Sequence, residues 1–299
     1  MRKYIFIILF SSVILPGCSK DFLDVEPPSQ LTGSSYFRNE EDAAAIVTAA
    51  YKPLTATSDL AKISEAPLKD IVIFNTQGLN LDSWSFDAND AIIDRVWQND
   101  YEGVFRANLI IQEVGKIKMD ETARDRMVGE GRFLRAYYYW QLTTLFGDVP
   151  LITEADPSDP KKAAVGKSSV DDIYNLIIDD LKQAIDVLPV SYDSKNAGHV
   201  TKGAAEALLG KVYLYAKNYP LAEEALHNVI TSNTYQLIPD FSQLLIINNN
   251  AESLFEIQFA DIAGQGSDRV VNDYPQGQRG YATLLPAQAI VYAFEDYPG

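Results

Sequence analysis

Residues 75–90 hold the side chains of this chain that are best suited to binding chemistry. The stretch is polar, contains one tryptophan and shows neither a helical nor a strand period, which predicts a loop. A sugar needs a flat aromatic ring for stacking and amides or carboxylates for its hydroxyl groups. The loop offers the ring at Trp84 and polar groups at Asn75, Gln77, Asn80 and Asp82. Two interpretations stay open: a sugar-contacting loop, or a solvated loop whose Trp84 is tucked into the core.

Cys18 is the only cysteine of the chain, and it follows a basic end and a short apolar run over residues 2–15. This order is typical of a secretory signal, and the run is shorter than the ~20 residues of a spanning helix. Residues 15–18 (LPGC) resemble a bacterial lipobox, in which the cysteine becomes the first mature residue and carries lipid chains. Pro16 departs from the usual Ala, Ser or Thr. We expect lipid attachment at Cys18; the alternative is ordinary signal cleavage beside an incidental cysteine.

No metal and no cofactor is predicted, because the motifs that come nearest to such sites are incomplete. Residues 166–168 (GKS) resemble the end of a P-loop, but Lys161 occupies the position of its leading glycine. A calcium-loop-like run starts at Asp87 and lacks the required glycine, since that position is Ile92.

No catalytic residue is predicted either, because no nucleophile, base and orienting group can be combined. His199 and His227 have no histidine or cysteine at metal spacing, and we expect one on a loop and the other on a helix face. Residues 264–268 (GQGSD) do not form the Gly-x-Ser-x-Gly elbow of a hydrolase. We interpret Asp171-Asp172 and Asp179-Asp180 as first-turn and solvent charges on a polar helix face.

The elements that position these residues are mostly helices. Apolar residues at helical spacing predict helices over 39–50, 91–118, 121–145, 169–188, 201–217 and 219–231. Asn39 is a plausible N-cap, and Ser169 with Asp172 forms a capping-box pattern. The second helix carries one apolar stripe, namely Ile93, Trp97, Tyr101, Phe105 and Leu109. We expect Trp97 and Trp140 in the core, and alternating residues predict a short strand over 255–259.

Two of these helices match a tetratricopeptide unit, which is a helix pair with Leu-Gly-x-x-Tyr on the first helix. Residues 209–213 (LGKVY) supply that motif, and Tyr219, Ala222 and Leu226 fall at the spacing of the second helix. A split copy upstream combines the helix over 121–145 with Tyr174, Ile177, Leu181, Ala184 and Pro189. Small residues such as Gly210 let the paired helices approach closely. The alternative is two unrelated amphipathic hairpins.

Composition and charge exclude some function classes. Hydrophobic residues make up 47% of the 299, enough for a substantial core. The formal net charge is −16, and removal of Arg2 and Lys3 with the signal leaves −18. Such a surface argues against nucleic acid and against electrostatic binding to anionic lipid, because both need clustered positive charge.

Several segments together resemble the RagB/SusD family of outer-membrane nutrient-binding lipoproteins. The most specific are residues 132–139 (RFLRAYYY) and 145–151 (LFGDVPL), followed by 201–205 (TKGAA). The stretch after Cys18, with residues 21–24 (DFLD), also reads as that family's mature N-terminus usually does. Residues 286–288 (PAQ) and 293–295 (AFE) resemble a further family segment.

The resemblance implies a mainly α fold, with tetratricopeptide-like helix pairs packed against an irregular lobe with short strands. It implies a surface lipoprotein of the outer membrane that binds glycans or other nutrients without catalysis. It also implies a partner, a TonB-dependent (SusC-like) transporter to which the nutrient is passed. Family members are generally longer, so we expect this chain to be an N-terminal portion that lacks part of the irregular lobe.

The expected organisation is a signal peptide over residues 1–17, a lipid-anchored tether over 18–36 and a SusD-like helical domain over 37–299, incomplete at its C-terminus. Two other functions are kept as alternatives. One is a protein–protein scaffold with no sugar site, and the other is a secreted hydrolase whose catalytic residues lie beyond residue 299.

Overall fold

A computed structural model describes residues 37–56, 59–60, 63, 71–73, 87, 89–155, 165–244, 246–259 and 284–286. The predicted signal, Cys18 and the tether lie outside the described residues. So do all five predicted ligand-binding residues: Asn75, Gln77, Asn80, Asp82 and Trp84.

Most of the described residues are helical, which confirms the predicted mainly α fold. The helices are α1 Glu40–Tyr51, α2 Ala91–Glu113, α3 Glu121–Phe146, α4 Val170–Val187, α5 Lys202–Tyr215 and α6 Tyr219–Thr231. Short 3-10 turns directly follow α1, at Lys52–Thr55, and α2, at Val114–Lys116, and a third lies beyond α6 at Phe241–Gln243.

Side-chain caps fix where four of the helices begin. Asn39 accepts a hydrogen bond from the Asp42 amide and Ser169 from the Asp172 amide, which confirms both predicted caps. Asp120 and Thr201 cap α3 and α5 in the same way. Each cap satisfies a backbone N–H that has no partner inside its helix, and is worth about 1 kcal/mol.

Consecutive helices from α2 to α6 pack side by side, and α1 packs across α2 and α3. Glycines let them approach closely. A Cβ added at Gly129 of α3 would lie 2.5 Å from Cγ2 of Val187 in α4. A Cβ added at Gly210 of α5 would lie 2.6 Å from Cγ of Leu226 in α6. The predicted pairs α3–α4 and α5–α6 are therefore confirmed, including the close contact at Gly210.

The buried face of α2 is offset by one residue from the predicted stripe. Its fully covered positions include Ile92, Val96 and Val104, whereas Phe105 of the stripe is 37% exposed. Trp97 is only half-buried and packs against Phe146. Helix α2 contacts both α1 and α3, so its buried face is wider than a single stripe with period four.

Asp180 contradicts its interpretation as a solvent charge. Its side chain is fully buried, and both oxygens accept hydrogen bonds from Arg135, at 2.7 Å each. Arg132 donates a third, at 3.0 Å. Asp180 lies three residues after buried Ile177 and so belongs to the buried stripe of α4, where the two arginines of α3 neutralise it.

Strands are short in the described residues. β1 (Ile71–Ile73) pairs antiparallel with β4 (Leu284–Pro286), Val72 opposite Leu285. β2 (Val149–Pro150) pairs antiparallel with β3 (Lys167–Ser168). The strand predicted over residues 255–259 is wrong: the segment has no ladder, and its alternating side chains pack against helices instead.

No helix in the described portion of the chain has the length and apolar composition needed to cross a membrane.

Candidate functional site

An open groove of about 660 Å³ lies where the end of α1, the loop around residue 198 and the segment 255–259 meet. Its volume falls in the range of small-molecule sites. The lining combines aromatic faces with side chains that can form hydrogen bonds: Thr48, Tyr51, Lys52, Thr55, His199, Phe255, Glu256, Gln258 and Phe259. Such a lining suits a ligand with both an apolar face and hydroxyl groups.

A buried carboxylate, Glu130 of α3, organises one side of this groove. Its Oε2 accepts a hydrogen bond from the Tyr51 hydroxyl at 2.6 Å and lies 2.6 Å from Nδ1 of His199. Its Oε1 is held by Arg126 one turn earlier on the helix. Glu130 is fully buried, so these partners compensate for its lost hydration.

Tyr51 links α1 to the loop that carries His199. Its hydroxyl accepts the backbone N–H of Val200 at 3.0 Å while donating to Glu130. Burial raises the pKa of Tyr51, and the Glu130 carboxylate raises it further, so the hydroxyl keeps its proton. Phe255 packs against the Tyr51 ring at 6.4 Å and against Phe133 of α3 at 5.6 Å.

The outer wall of the groove is braced by an amide pair. Asn249 and Gln258 exchange two side-chain hydrogen bonds, of 3.1 and 2.9 Å. Gly198 lies directly beside Gln258, and its φ of 95° is one that side chains rarely adopt. The wall therefore needs glycine at position 198.

Both histidines lie where the sequence predicts, His199 on a loop and His227 on a helix face. His199 pairs with Glu130 through its Nδ1 atom. The residues described contain no cluster of metal-ligating side chains. Within the same residues the two fully buried carboxylates, Glu130 and Asp180, are each paired with arginine. Arginine pairing occupies the carboxylate oxygens with hydrogen bonds, which suits a structural role.

A second aromatic region lies at the end of the helix stack where α2 and α4 begin and α3 and α5 end. Trp140 of α3 is nearly buried, as predicted. It stacks on Tyr174 of α4 at 6.0 Å and meets Tyr215 of α5 edge-on at 4.7 Å. Trp97 of α2 contacts Phe146 at 5.1 Å at the same end.

The predicted loop over residues 75–90 is described only at its end. Asp87 and Asp90 close a turn there: Asp90 Oδ2 accepts from the Asp87 amide at 3.0 Å, and Asp87 Oδ1 accepts from the Asn89 amide at 2.7 Å. These carboxylates therefore hold the turn that leads into α2. The loop therefore joins the stack at its aromatic end, where α2 begins.

The sequence missed the network around Glu130. Its members are far apart in the chain, and only tertiary packing brings Tyr51 and His199 to the same carboxylate. One local signal was present, because Glu130 lies between Gly129 and Gly131, and both glycines sit in close helix contacts. A charged residue between two glycines that lie in close helix contacts is expected to be buried as well.

Comparisons with known proteins agree on one family. A SusD-like family model, described as "Starch-binding associating with outer membrane", matches residues 21–214. SusD-like protein P2 of Formosa agariphila is 29% identical over 300 aligned positions, which cover 95% of this chain and 58% of that protein.

Solved structures agree on the fold. A SusD-like protein from Bacteroides fragilis superposes with a TM-score of 0.74 at 25% identity, covering 87% of this chain and 54% of that one. A laminarin-binding SusD-like protein superposes with a TM-score of 0.65 at 30% identity, covering 73% of this chain and 51% of that one.

The chain thus spans about half the length of the relatives it matches. The matched family segment runs from the tether into α5 and contains the most specific motifs of the RagB/SusD resemblance, residues 132–139, 145–151 and 201–205. That resemblance is confirmed, and the chain belongs to the SusD-like family.

Proposed function

We propose that this protein binds a glycan at the outer membrane and does not transform it. The observation that carries the proposal is family membership, since the matched family is described as starch-binding and outer-membrane-associated. A structural neighbour at 30% identity binds laminarin, a glucan, by its name. Starch and laminarin share glucose units, so a glucose-based oligosaccharide is the ligand class that these names favour.

The groove chemistry supports a polar ligand with apolar faces. Phenylalanine rings at positions 255 and 259 stand beside the amide of Gln258 and the hydroxyls of Thr48 and Thr55. A pyranose ring offers C–H faces to aromatic rings and hydroxyls to amides. Both kinds of contact are therefore available among the described residues.

The loop over residues 75–90 remains the proposed principal contact. In this proposal Trp84 stacks on a sugar ring, Asn80 and Asp82 fix its orientation, and Asn75 and Gln77 supply further hydrogen bonds. Support comes from the residue types and from the place of the loop in the chain, between β1 and the start of α2.

Membrane attachment and partner form the outer part of the proposal. Lipid at Cys18 would hold the protein at the cell surface through the tether over residues 18–36. A TonB-dependent transporter would receive the glycan. The lipobox-like segment and the family's outer-membrane association support this arrangement.

Binding without catalysis is supported by how the titratable groups are used. Glu130 and Asp180 are engaged with arginines, and His199 with Glu130. A general acid or base must reach the proton that it transfers, and these groups are turned toward their structural partners.

Isothermal titration with maltoheptaose and laminarin tests the proposal, using the wild type and Trp84→Ala. Replacement of the indole should weaken binding at least about tenfold while the melting temperature stays unchanged, because stacking area is lost from a loop. Phe241→Ala is the matched control, since Phe241 is 83% exposed in a turn after α6. Equal affinity of Trp84→Ala and wild type would refute the loop as the principal contact. Release of shorter sugars by the pure protein would refute binding without catalysis.

A further inference from the structure

The aromatic end of the helix stack carries an exposed corner built from three rings, and the corner is defined here as Trp140, Tyr174 and Tyr215. Tyr215 is the last residue of α5 and is 54% exposed, although its ring meets Trp140 edge-on. Tyr174 is partly exposed and stacks on the same indole with an interplanar angle of 22°. Trp140 is only 5% exposed and acts as the support of the other two rings.

The corner is rigid for a surface feature. Trp140 is fixed within α3, and the ammonium of Lys211 lies 5.7 Å from its ring centroid. Ring contacts restrict the side chains of Tyr174 and Tyr215 before any ligand arrives. A restrained tyrosine loses little conformational entropy on binding, which is why such rings serve well in recognition surfaces.

Polar groups surround the two exposed rings. Lys211 is exposed and lies one helical turn before Tyr215. The nearby hydroxyl of Tyr215 and the carboxylate of Asp171 both contribute to a raised pKa of Tyr174, after burial as the largest cause. The corner therefore combines two aromatic faces with hydroxyls, one cation and one anion. Because the one positive and the one negative charge balance, the corner favours a neutral ligand rich in hydroxyl groups over an acidic or a basic ligand.

We infer that the corner of Tyr215, Tyr174 and Trp140 is a distal subsite for a neutral oligosaccharide. The inference rests on the proposed function, because the same glycan would occupy it. The loop over residues 75–90 joins α2 at this end of the stack, where Trp97 and Phe146 also lie. A glycan held by the loop can extend along the helix ends, and neighbouring helix axes are about 10 Å apart. Helix α3 lies between α2 and α4, so two such spacings separate the start of α2 from Tyr174 at the start of α4, and only a glycan of several units reaches the corner.

The subsite predicts that affinity depends on chain length. Calorimetric titration compares maltose with maltoheptaose, and laminaribiose with laminarihexaose, on wild type, Tyr215→Ala and Tyr215→Phe. Tyr215→Ala should weaken the long oligosaccharides about three- to tenfold and leave the disaccharides unchanged. Tyr215→Phe keeps the ring and should retain most of the affinity. Phe241→Ala, another exposed aromatic, should bind every probe as the wild type does.

The outcomes separate the two proposals. If the wild type binds long oligosaccharides and Tyr215→Ala binds them equally well, the distal subsite is refuted while glycan binding stands. If the wild type binds none of the four probes, the proposed function itself fails for glucans. Equal weakening of disaccharides and long chains by Tyr215→Ala would also contradict a distal position. Circular dichroism melting shows whether each variant is folded, and Tyr215→Phe decides the question if Tyr215→Ala is not.

Discussion

Asp100 should make the stability of this protein depend on pH near neutrality. The side chain lies on α2 and is only 2% exposed. Its Oδ2 accepts no hydrogen bond from any described residue. Burial without a compensating donor disfavours the charged carboxylate and raises the pKa of Asp100 from 3.8 to about 7.

The sign and size follow from the two pKa values. Between 3.8 and about 7 the folded protein keeps a proton that the unfolded chain releases. The stabilisation from that proton is complete below 3.8 and is lost as the pH rises through the folded pKa. Each pH unit within the window lowers the free energy of unfolding by about 1.4 kcal/mol. From pH 5 to pH 8 the loss assigned to Asp100 is therefore about 3 kcal/mol.

Urea denaturation at intervals between pH 5 and pH 8 measures this loss in the wild type and in Asp100→Asn. The amide does not titrate, so the variant should lack the Asp100 contribution. The contributions of all other side chains are common to both proteins and cancel in the difference. Asp94→Asn is the matched control, because Asp94 lies on the same helix and is exposed. Parallel stability–pH curves for wild type and Asp100→Asn would refute the reasoning.

Three further predictions concern packing and anchoring. Gly210→Leu should overpack the contact with Leu226 and cost about 1–3 kcal/mol in chemical denaturation, whereas Gly115→Leu, which meets open space, should cost far less. Asp180→Ala should lower the free energy of unfolding by about 3–5 kcal/mol, because it leaves Arg135 buried without its carboxylate partner. The control Asp179→Ala, at the exposed neighbouring residue, should change it by no more than about 0.5 kcal/mol. Equal melting of these two variants would contradict the buried pair. Cys18→Ala should move the protein from the membrane pellet to the soluble fraction, and a variant that still pellets would count against lipid attachment.

The helical architecture could be predicted from local signals. Asn39 and Ser169 mark helix starts through short-range hydrogen bonds, and such bonds depend on sequence neighbours alone. The helix pairing could also be predicted, because Gly210 and its spacing to Leu226 encode a close contact in a recurring unit. These features need no knowledge of the rest of the fold.

Features that depend on tertiary partners were predicted less well. The buried face of α2 is set by two neighbouring helices, so a single stripe gave the wrong position for Phe105. The charge of Asp180 predicts a solvent-exposed side chain, although its spacing from Ile177 places it on the buried stripe of α4. At such a site the helical position predicts burial better than the charge does, because two arginines of the neighbouring helix pair with the carboxylate.

The segment over residues 255–259 shows the same limit for strands. Alternation of apolar and polar residues indicates one covered face, but a strand also requires a partner for its backbone groups. Here Phe255 and Ile257 are covered by the helical core instead.

The types of residue in the candidate site could be predicted from the sequence, but their arrangement in space could not. Trp84 and its polar neighbours indicate sugar-binding chemistry locally, whereas the groove near Tyr51 is assembled from three distant segments. Glu130, whose hydrogen bonds hold one side of that groove, belongs to no catalytic or metal-binding motif of the sequence. Its role is visible only once Tyr51 and His199 are brought to it by the fold.

Calorimetric titration of the purified wild type with maltoheptaose and laminarihexaose tests the central claim most directly, with chromatography of the sugars afterwards. Non-catalytic glycan binding predicts saturable heat with at least one of the two glucans, and recovery of that glucan at its original length. No heat with either glucan, or shortened products after incubation, would contradict the claim.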